Sequence, residues 1–240
     1  MAVEYTLGFL EDYIFVFVVS YLIGSIPFSL IITKIVTGND LRTIGSGNLG
    51  GRNVYRATKS LYWALLSGFM DLSRSILAFV IPFLLIYQYG VNFIDIEQNS
   101  FLLTLAGIGA VLGHNWPIWL KSAGGKGITV VLAVLVFCNP LLILFWIILW
   151  FILIIIIGYS SITYIVDTFL LGIVAFFWPY TMPWNPMLPL ELMLLLMGIS
   201  LVMFSRQGEN FRKIRSGEAK KINLIQAIRG KKKLSEELLH

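Results

Sequence analysis

Charge is scarce in this chain: 13% of its 240 residues are Asp, Glu, Lys or Arg, against 58% hydrophobic. Mean hydropathy is +0.83. A water-soluble domain has nowhere to hide so much apolar surface, so the solvent is lipid. Cysteine is nearly absent as well. The single Cys138 excludes an internal disulfide and a cysteine metal cluster, and two histidines, one of them the terminal His240, supply no metal-ligand set. No metal, cofactor or nucleic-acid partner is expected, and nothing in the pattern reports an oligomeric state. Basic residues are missing from the N-terminal tail, where Glu4, Glu11 and Asp12 stand instead, and no small-residue cleavage site follows. The first apolar stretch is therefore expected to remain as a mature span, not to leave as a signal peptide.

Long hydrophobic runs are what the chain has in their place. They fall at Ile14–Ile35, Tyr62–Tyr87, Phe101–Trp119, Ile128–Phe137, Leu141–Ile157, Ile162–Tyr180 and Leu190–Phe204, predicting an all-α, polytopic integral membrane protein of about seven transmembrane helices. The fourth run is short and ends at Asn139-Pro140, so it either stands alone or fuses with the fifth as a kinked or re-entrant element. Charge tests the count separately. With seven crossings, every Lys and Arg except Arg74 falls on one side, and the opposite loops carry Glu4, Glu11, Asp12, Asp95, Glu97 and Glu191. The positive-inside rule makes the basic side cytoplasmic, with the N terminus outside and the C terminus within. Residues 1–219 read as one membrane domain. The basic tail 220–240 reads either as an amphipathic element along the inner leaflet or as disordered.

Three polar islands interrupt the apolar background. The first runs from Gly24-Ser-Ile-Pro-Phe28 to the loop Gly45-Ser-Gly-Asn-Leu-Gly-Gly-Arg-Asn-Val-Tyr-Arg56, the second from Gly113-His-Asn-Trp-Pro117 to Gly124-Gly-Lys-Gly127, and the third is Arg206-Gln-Gly-Glu-Asn210. By the topology above all three face the cytoplasm. What they share is donor groups: Arg42, Ser46, Asn48, Arg52, Asn53, Arg56, Lys126, Asn210 and the amides of the glycine runs. Glycine lets successive N–H groups converge on a ligand with no Cβ in the way, and arginine forks suit phosphate. Donors converging at a membrane surface point to phosphorylated ligands.

The three blocks, in order and in spacing, resemble the acyl-phosphate:glycerol-3-phosphate acyltransferases of phospholipid synthesis, the PlsY family. The likeness runs from Gly24-Ser25 with Lys34, through Gly45 to Gly50, Asn53 and Arg56, then Gly113-His114, Pro117 and Gly124 to Gly127, to Arg206, Glu209-Asn210, Arg212 and Gly217-Glu218. The resemblance implies a seven-helix enzyme of the cell membrane, its site facing the cytoplasm, that moves an acyl group from acyl phosphate to glycerol-3-phosphate and yields lysophosphatidic acid and phosphate. It implies catalytic roles for Ser46, Asn48, Lys126, Ser160, Ser161 and Asn210. It implies substrate binding by Ser25, Arg42, Gly45, Gly47, Asn53, Arg56, His114, Gly124, Gly125, Gly127 and Arg206. The partners are then acyl phosphate, glycerol-3-phosphate and membrane lipids. An acyl phosphate is already a mixed anhydride, so no covalent protein nucleophile is required.

The chain departs from the family pattern in places. Gly51-Arg52 stands where Ala-Thr is usual, Arg74-Ser75 where Lys-Gly is usual, Ser122-Ala123 where an aromatic and a lysine are usual, and Gln207 where the third block has histidine. Glutamine donates a hydrogen bond but does not titrate, so a proton-transfer role at that position does not carry over.

Other polar residues carry two readings each. Asp71 and Arg74, three apart on one helical face, form either a structural ion pair or part of a substrate path. Asp167 is expected to make a helix-packing hydrogen bond. His114 either contacts substrate or orients the Gly124–Gly127 loop. Two rival functions remain at this level: a transporter or channel for a small phosphorylated anion, and a catalytically silent relative that binds lipid precursors.

Overall fold

A computed structural model describes residues 2–89, 100–121, 124–178, 187–219 and 221–222; of 2–9, 82, 83, 85–89 and 100 it describes the backbone only. Asp95, Glu97, the Ser122-Ala123 pair, the C-terminal end of the sixth apolar run and nearly all of the basic tail lie outside these residues. Everything regular among the described residues is helical. The order is α1 (Ala2–Gly24), α2 (Phe28–Thr37), a 3-10 turn (Leu41–Thr43), α3 (Gly51–Thr58), α4 (Leu61–Tyr89), α5 (Ser100–Asn115), α6 (Ile128–Cys138), α7 (Leu142–Ile157), α8 (Ser160–Phe177), α9 (Pro189–Ser205) and α10 (Gly208–Arg215).

Each apolar run forms a helix, but the first forms two. Pro27 has no N–H to continue the ladder and its ring clashes with the preceding turn, so α1 stops at Gly24 and α2 starts at Phe28. The fourth and fifth runs stay separate. Asn139 closes α6, its N–H donating to the Leu135 carbonyl and its Oδ1 accepting from the Leu141 amide at 3.2 Å. At 1.5 Å per residue the 11 residues of α6 extend about 16 Å, well short of the ~30 Å hydrocarbon layer. Among the described residues, three stretches are long and apolar enough to cross a membrane: Leu10–Thr37, Leu61–Ile81 and Ser160–Phe177. A fourth qualifies when α9 and α10 are joined across a 59° bend.

The bundle is assembled around α5. α1 packs on α5 and α4, α5 on α9, α9 on α8, α8 on α7, and α4 on α6. The α1–α5 contact is made backbone to backbone. A Cβ on Gly109 would lie 2.7 Å from the Phe17 carbonyl oxygen, and one on Gly113 would overlap that of Tyr21. Gly109 and Gly113 are a small-xxx-small pair, the pattern by which membrane helices approach closely when there is no water to expel. The core between α4, α5, α6, α8 and α9 contains Phe79, Leu103, Val111, Val131, Leu135, Leu171, Leu195 and Ile199. α7 turns Leu144, Ile148, Phe151, Ile155 and Ile156 outward, as a lipid-facing helix does.

A second, smaller cluster positions the site. Leu41, Leu49 and Val54, backed by Leu30, Trp63 and Leu120, anchor the loop between α2 and α3 against α4.

Candidate active site

The first polar island is a loop held from below. Gly45 and Gly47 take φ of +55° and +64°, a region that favours glycine. The buried Asn53 side chain donates from Nδ2 to the carbonyls of Leu41 (3.1 Å) and Ile44 (2.8 Å), stapling the loop to α3. α3 then starts at Gly51 with no side-chain cap and no acid in its first turn. Its Arg52 and Arg56 are exposed.

This loop forms one wall of a cavity of about 380 Å3, with Ser46, Asn48, Leu49, Gly50, Gly51, Arg52, Asn53 and Arg56 on that side. Lys126, Ile128 and Thr129 enter from the second island and the start of α6; Ser160, Ser161 and Tyr164 enter from α8; Met203 and Gln207 close it from α9 and the bend before α10. Arg52, Arg56 and Lys126 bring three cations to the lining, and no carboxylate stands among the described residues that line it. Burial pushes the Lys126 ammonium below the usual lysine range; Glu209 opposes the shift, and Arg206, Lys213 and Arg52 reinforce it.

Of the residues expected to act, Ser46, Asn48, Asn53, Arg56, Lys126, Ser160 and Ser161 meet at this cavity. Gly45 and Gly47 shape its loop without lining it. Asn210 stands one step behind, its Nδ2 donating to Oε1 of the lining residue Gln207. Arg206 ends α9, with its Nε buried and without a hydrogen-bond partner among the described residues. Gly127, at φ +83°, caps the start of α6 and so aims Lys126. Arg42 lies elsewhere, its guanidinium on the Asp40 carboxylate at 2.5 Å. Ser25 also lies elsewhere, its buried hydroxyl donating to the Tyr21 carbonyl at 2.7 Å.

His114 belongs to a different cluster. Its Nδ1 lies 2.5 Å from Arg74 Nη2, and because a guanidinium only donates, Nδ1 accepts and the ring proton sits on Nε2. The Gly125 amide donates to the His114 carbonyl at 2.9 Å, and a Cβ on Gly125 would overlap the imidazole. His114 thus supports the glycine loop from beneath. Arg74 also donates from Nη1 to the Gly24 carbonyl, which no backbone amide reaches among the described residues once α1 breaks at Pro27, and to the Ile26 carbonyl, which also accepts from the Phe28 amide at 3.2 Å. Asp71 stands 3.7 Å from Arg74 and accepts from Ser29 Oγ at 2.8 Å. The pair is a fastener between α1, α2, α4 and α5. Asp167 differs from expectation: it is fully buried, and neither carboxylate oxygen has a hydrogen-bond partner among the described residues.

Tyr164, Thr129 and Met203 escaped the sequence reading, since each looks like core inside an apolar helix. Tyr164 had a usable signal, because it lies three and four residues after Ser161 and Ser160 and so shares their helical face.

Comparison with known proteins bears on this arrangement. A family model described as glycerol-3-phosphate acyltransferase matches residues 14–217. A protein named glycerol-3-phosphate acyltransferase from Wolbachia pipientis subsp. Culex pipiens is 35% identical over 212 residues, covering 88% of this chain and 99% of that protein. One of the same name from Bartonella henselae is 40% identical over 167 residues, 69% of this chain and 74% of its own. Among solved structures, the crystal structure of PlsY, an integral membrane glycerol 3-phosphate acyltransferase in its glycerol 3-phosphate form, superposes with a TM-score of 0.65 at 27% identity, covering 90% of this chain and 98% of that one. Its lysophosphatidic acid form gives 0.63 at 26% identity, covering 87% and 94%.

Proposed function

Because this chain belongs to the glycerol-3-phosphate acyltransferase family, we propose that the cavity between α3, α6, α8 and the α9–α10 bend is where its acyl transfer takes place. The protein is a membrane glycerol-3-phosphate acyltransferase. Acyl phosphate is the donor in this reading. The observation that carries it is the character of the lining: three cations, hydroxyls and glycine amides, with neither a carboxylate nor a histidine beside any serine. Such a wall suits phosphate, and a donor that arrives as an acyl phosphate is already activated and needs no serine nucleophile.

In the reaction the acceptor's 1-hydroxyl attacks the acyl carbonyl carbon. The new ester C–O bond forms, the bond from carbonyl carbon to phosphate oxygen breaks, and phosphate leaves with the electron pair. Arg56, Lys126, Ser46 and Asn48 offset the negative charge that grows on carbonyl and leaving group. Asn53 holds the loop, and Asn210 acts by orienting Gln207. The proton passes to the substrate's own phosphate, whose second pKa is near ~6.

The topology in this reading has seven crossings, the N terminus outside, the basic tail 220–240 at the inner leaflet of the cell membrane, and the cavity opening to the cytoplasm. The charge asymmetry of the loops supports it. In a Cys138→Ser background, Lys59→Cys and Arg215→Cys should react with an impermeant thiol reagent only when the inner face is exposed; labelling from opposite faces would end this topology.

The reaction is tested with the purified protein in detergent. Phosphate release from an acyl phosphate should require sn-glycerol-3-phosphate and produce lysophosphatidic acid. Equal rates with acyl-CoA or acyl carrier protein would rule out the donor.

A further inference from the structure

α3 opens with an electrostatic misfit. A helix N-terminus carries partial positive charge, yet here there is no cap and no acid, and the second residue is the cation Arg52. Arg56 follows one turn later, a like charge on the same face. Neither arginine, nor Lys126 opposite, forms an ion pair with an acid among the described residues. Such an arrangement is relieved when an anion enters.

The two arginines reach in different directions. Arg56 turns back to the glycine loop, where a Cβ on Gly45 would lie 3.1 Å from its Cδ and 3.5 Å from its Nη1. Arg52, four residues earlier on α3, lines the same cavity as Tyr164 of α8. The cavity therefore offers two anion positions. The one beside Arg56 has the denser donors, Ser46, Asn48 and the loop amides, as suits a phosphate that gains charge while its bond to carbon breaks. The one beside Arg52 and Tyr164 offers a fork and one hydroxyl. That is sufficient to hold a phosphate monoester that stays intact through the reaction.

We propose that Arg52, which shares the cavity wall with Tyr164, is a specificity determinant that binds the intact phosphate of the water-soluble acceptor, at a position separate from the one Arg56 and the glycine loop provide for the leaving phosphate. This rests on the cavity being the site of acyl-phosphate-dependent transfer, and it assigns which cation serves which substrate. Arg52 is exposed and its removal takes away a like-charge pair, so the fold does not depend on it.

The test is steady-state kinetics of the full chain in detergent, with each substrate varied in turn. Arg52→Thr should raise KM for sn-glycerol-3-phosphate by tenfold or more, on the scale of one lost charge-assisted contact, and leave kcat and KM for acyl phosphate within about twofold. Arg52→Lys should recover part of the loss. Tyr164→Phe should raise the same KM by a smaller factor, and the double variant should be little worse than Arg52→Thr alone. The unliganded Arg52→Thr protein should melt no lower than the parent. The assignment is overturned if KM for acyl phosphate moves instead, or if neither KM moves; an active parent enzyme then leaves the reaction itself standing. A parent enzyme that turns over no acyl phosphate would remove the reaction and the Arg52 assignment together.

Discussion

Arg74 on α4 and Arg56 on α3 lie on adjoining helices and are used in opposite ways. Arg74 is 3% exposed and directs both terminal nitrogens at protein, to the carbonyls of Gly24 and Ile26, the His114 ring and the Asp71 carboxylate, while its buried Nε has no hydrogen-bond partner among the described residues. Arg56 is exposed, faces a cavity without a carboxylate, and has no ion-pair partner among the described residues. Arg56 matches the family pattern and Arg74 stands where that pattern has lysine, but a cation is usual at the second position as well, so the pattern alone does not say which of the two meets substrate. Their partner lists do, because a donor already satisfied by the chain is part of the scaffold, while a donor facing an acid-free hollow is available to a ligand.

The sharpest way to break this comparison is Arg74→Ala. It strands a buried Asp71 and uncaps the end of α1, a loss of about 3–5 kcal/mol of stability, read as a lower melting temperature in detergent. If that variant melted like the parent and lost only turnover, the Asp71–Arg74–His114 cluster would have to be moved into the active site. Next come Arg56→Ala and Lys126→Ala, which should keep the parent's melting temperature while kcat/KM falls by roughly 10^2–10^3, the scale of one lost transition-state donor. Lys126 adds a pH signature. Its ammonium is held below the usual lysine range by burial, so raising the pH removes its charge earlier than that of an exposed lysine. Activity should fall on the alkaline side, and Lys126→Arg should carry the fall to higher pH.

The smallest effect is expected at Arg42, where Arg42→Ala should change turnover by less than about twofold, since the guanidinium is engaged on Asp40 outside the cavity. Hydrogen bonds from Arg42 lower the Asp40 carboxyl to about 2 from an ordinary value near 3.8. A depressed carboxyl stabilises the fold above its unfolded pKa and loses that contribution as pH falls through the folded one. The pair should therefore matter for stability above about pH 4 and fade towards pH 2, and only slightly, because both partners are exposed. An Arg42→Ala variant as impaired as Arg56→Ala would extend the site beyond the cavity.

Much of the architecture was legible because lipid makes hydropathy a strong signal: from the second onward, each run read as apolar begins and ends within a few residues of a helix where it is described, while the first, read from Ile14, belongs to a helix that already begins at Ala2. The break at Gly24–Pro27 was hidden by averaging, since a window of apolar residues is blind to one missing N–H, although Pro27 itself was in plain view. Helix length was the other gap, because an apolar run of 11 residues looks alike whether it crosses, re-enters or packs inside. At the cavity, Ser46, Asn48 and Lys126 stood out as polar residues in an apolar chain. Tyr164 did not, since only its neighbours in space distinguish it from an aromatic in the core. Arg42 illustrates the converse: an arginine beside a glycine loop reads as a ligand donor in the sequence, and in the structure its guanidinium pairs with Asp40 and does not line the cavity.

The contact of α1 with α5 bears on how the protein is made. Gly24 meets the Ala110 carbonyl, and Gly109 and Gly113 meet those of Phe17 and Tyr21, across some 85 residues of intervening chain. During synthesis the first helix therefore waits in the bilayer for a partner that has not yet left the ribosome. A bulky residue at Gly109 or Gly113 would do its damage at that moment of assembly, leaving an inserted but unassembled polypeptide for quality control to remove.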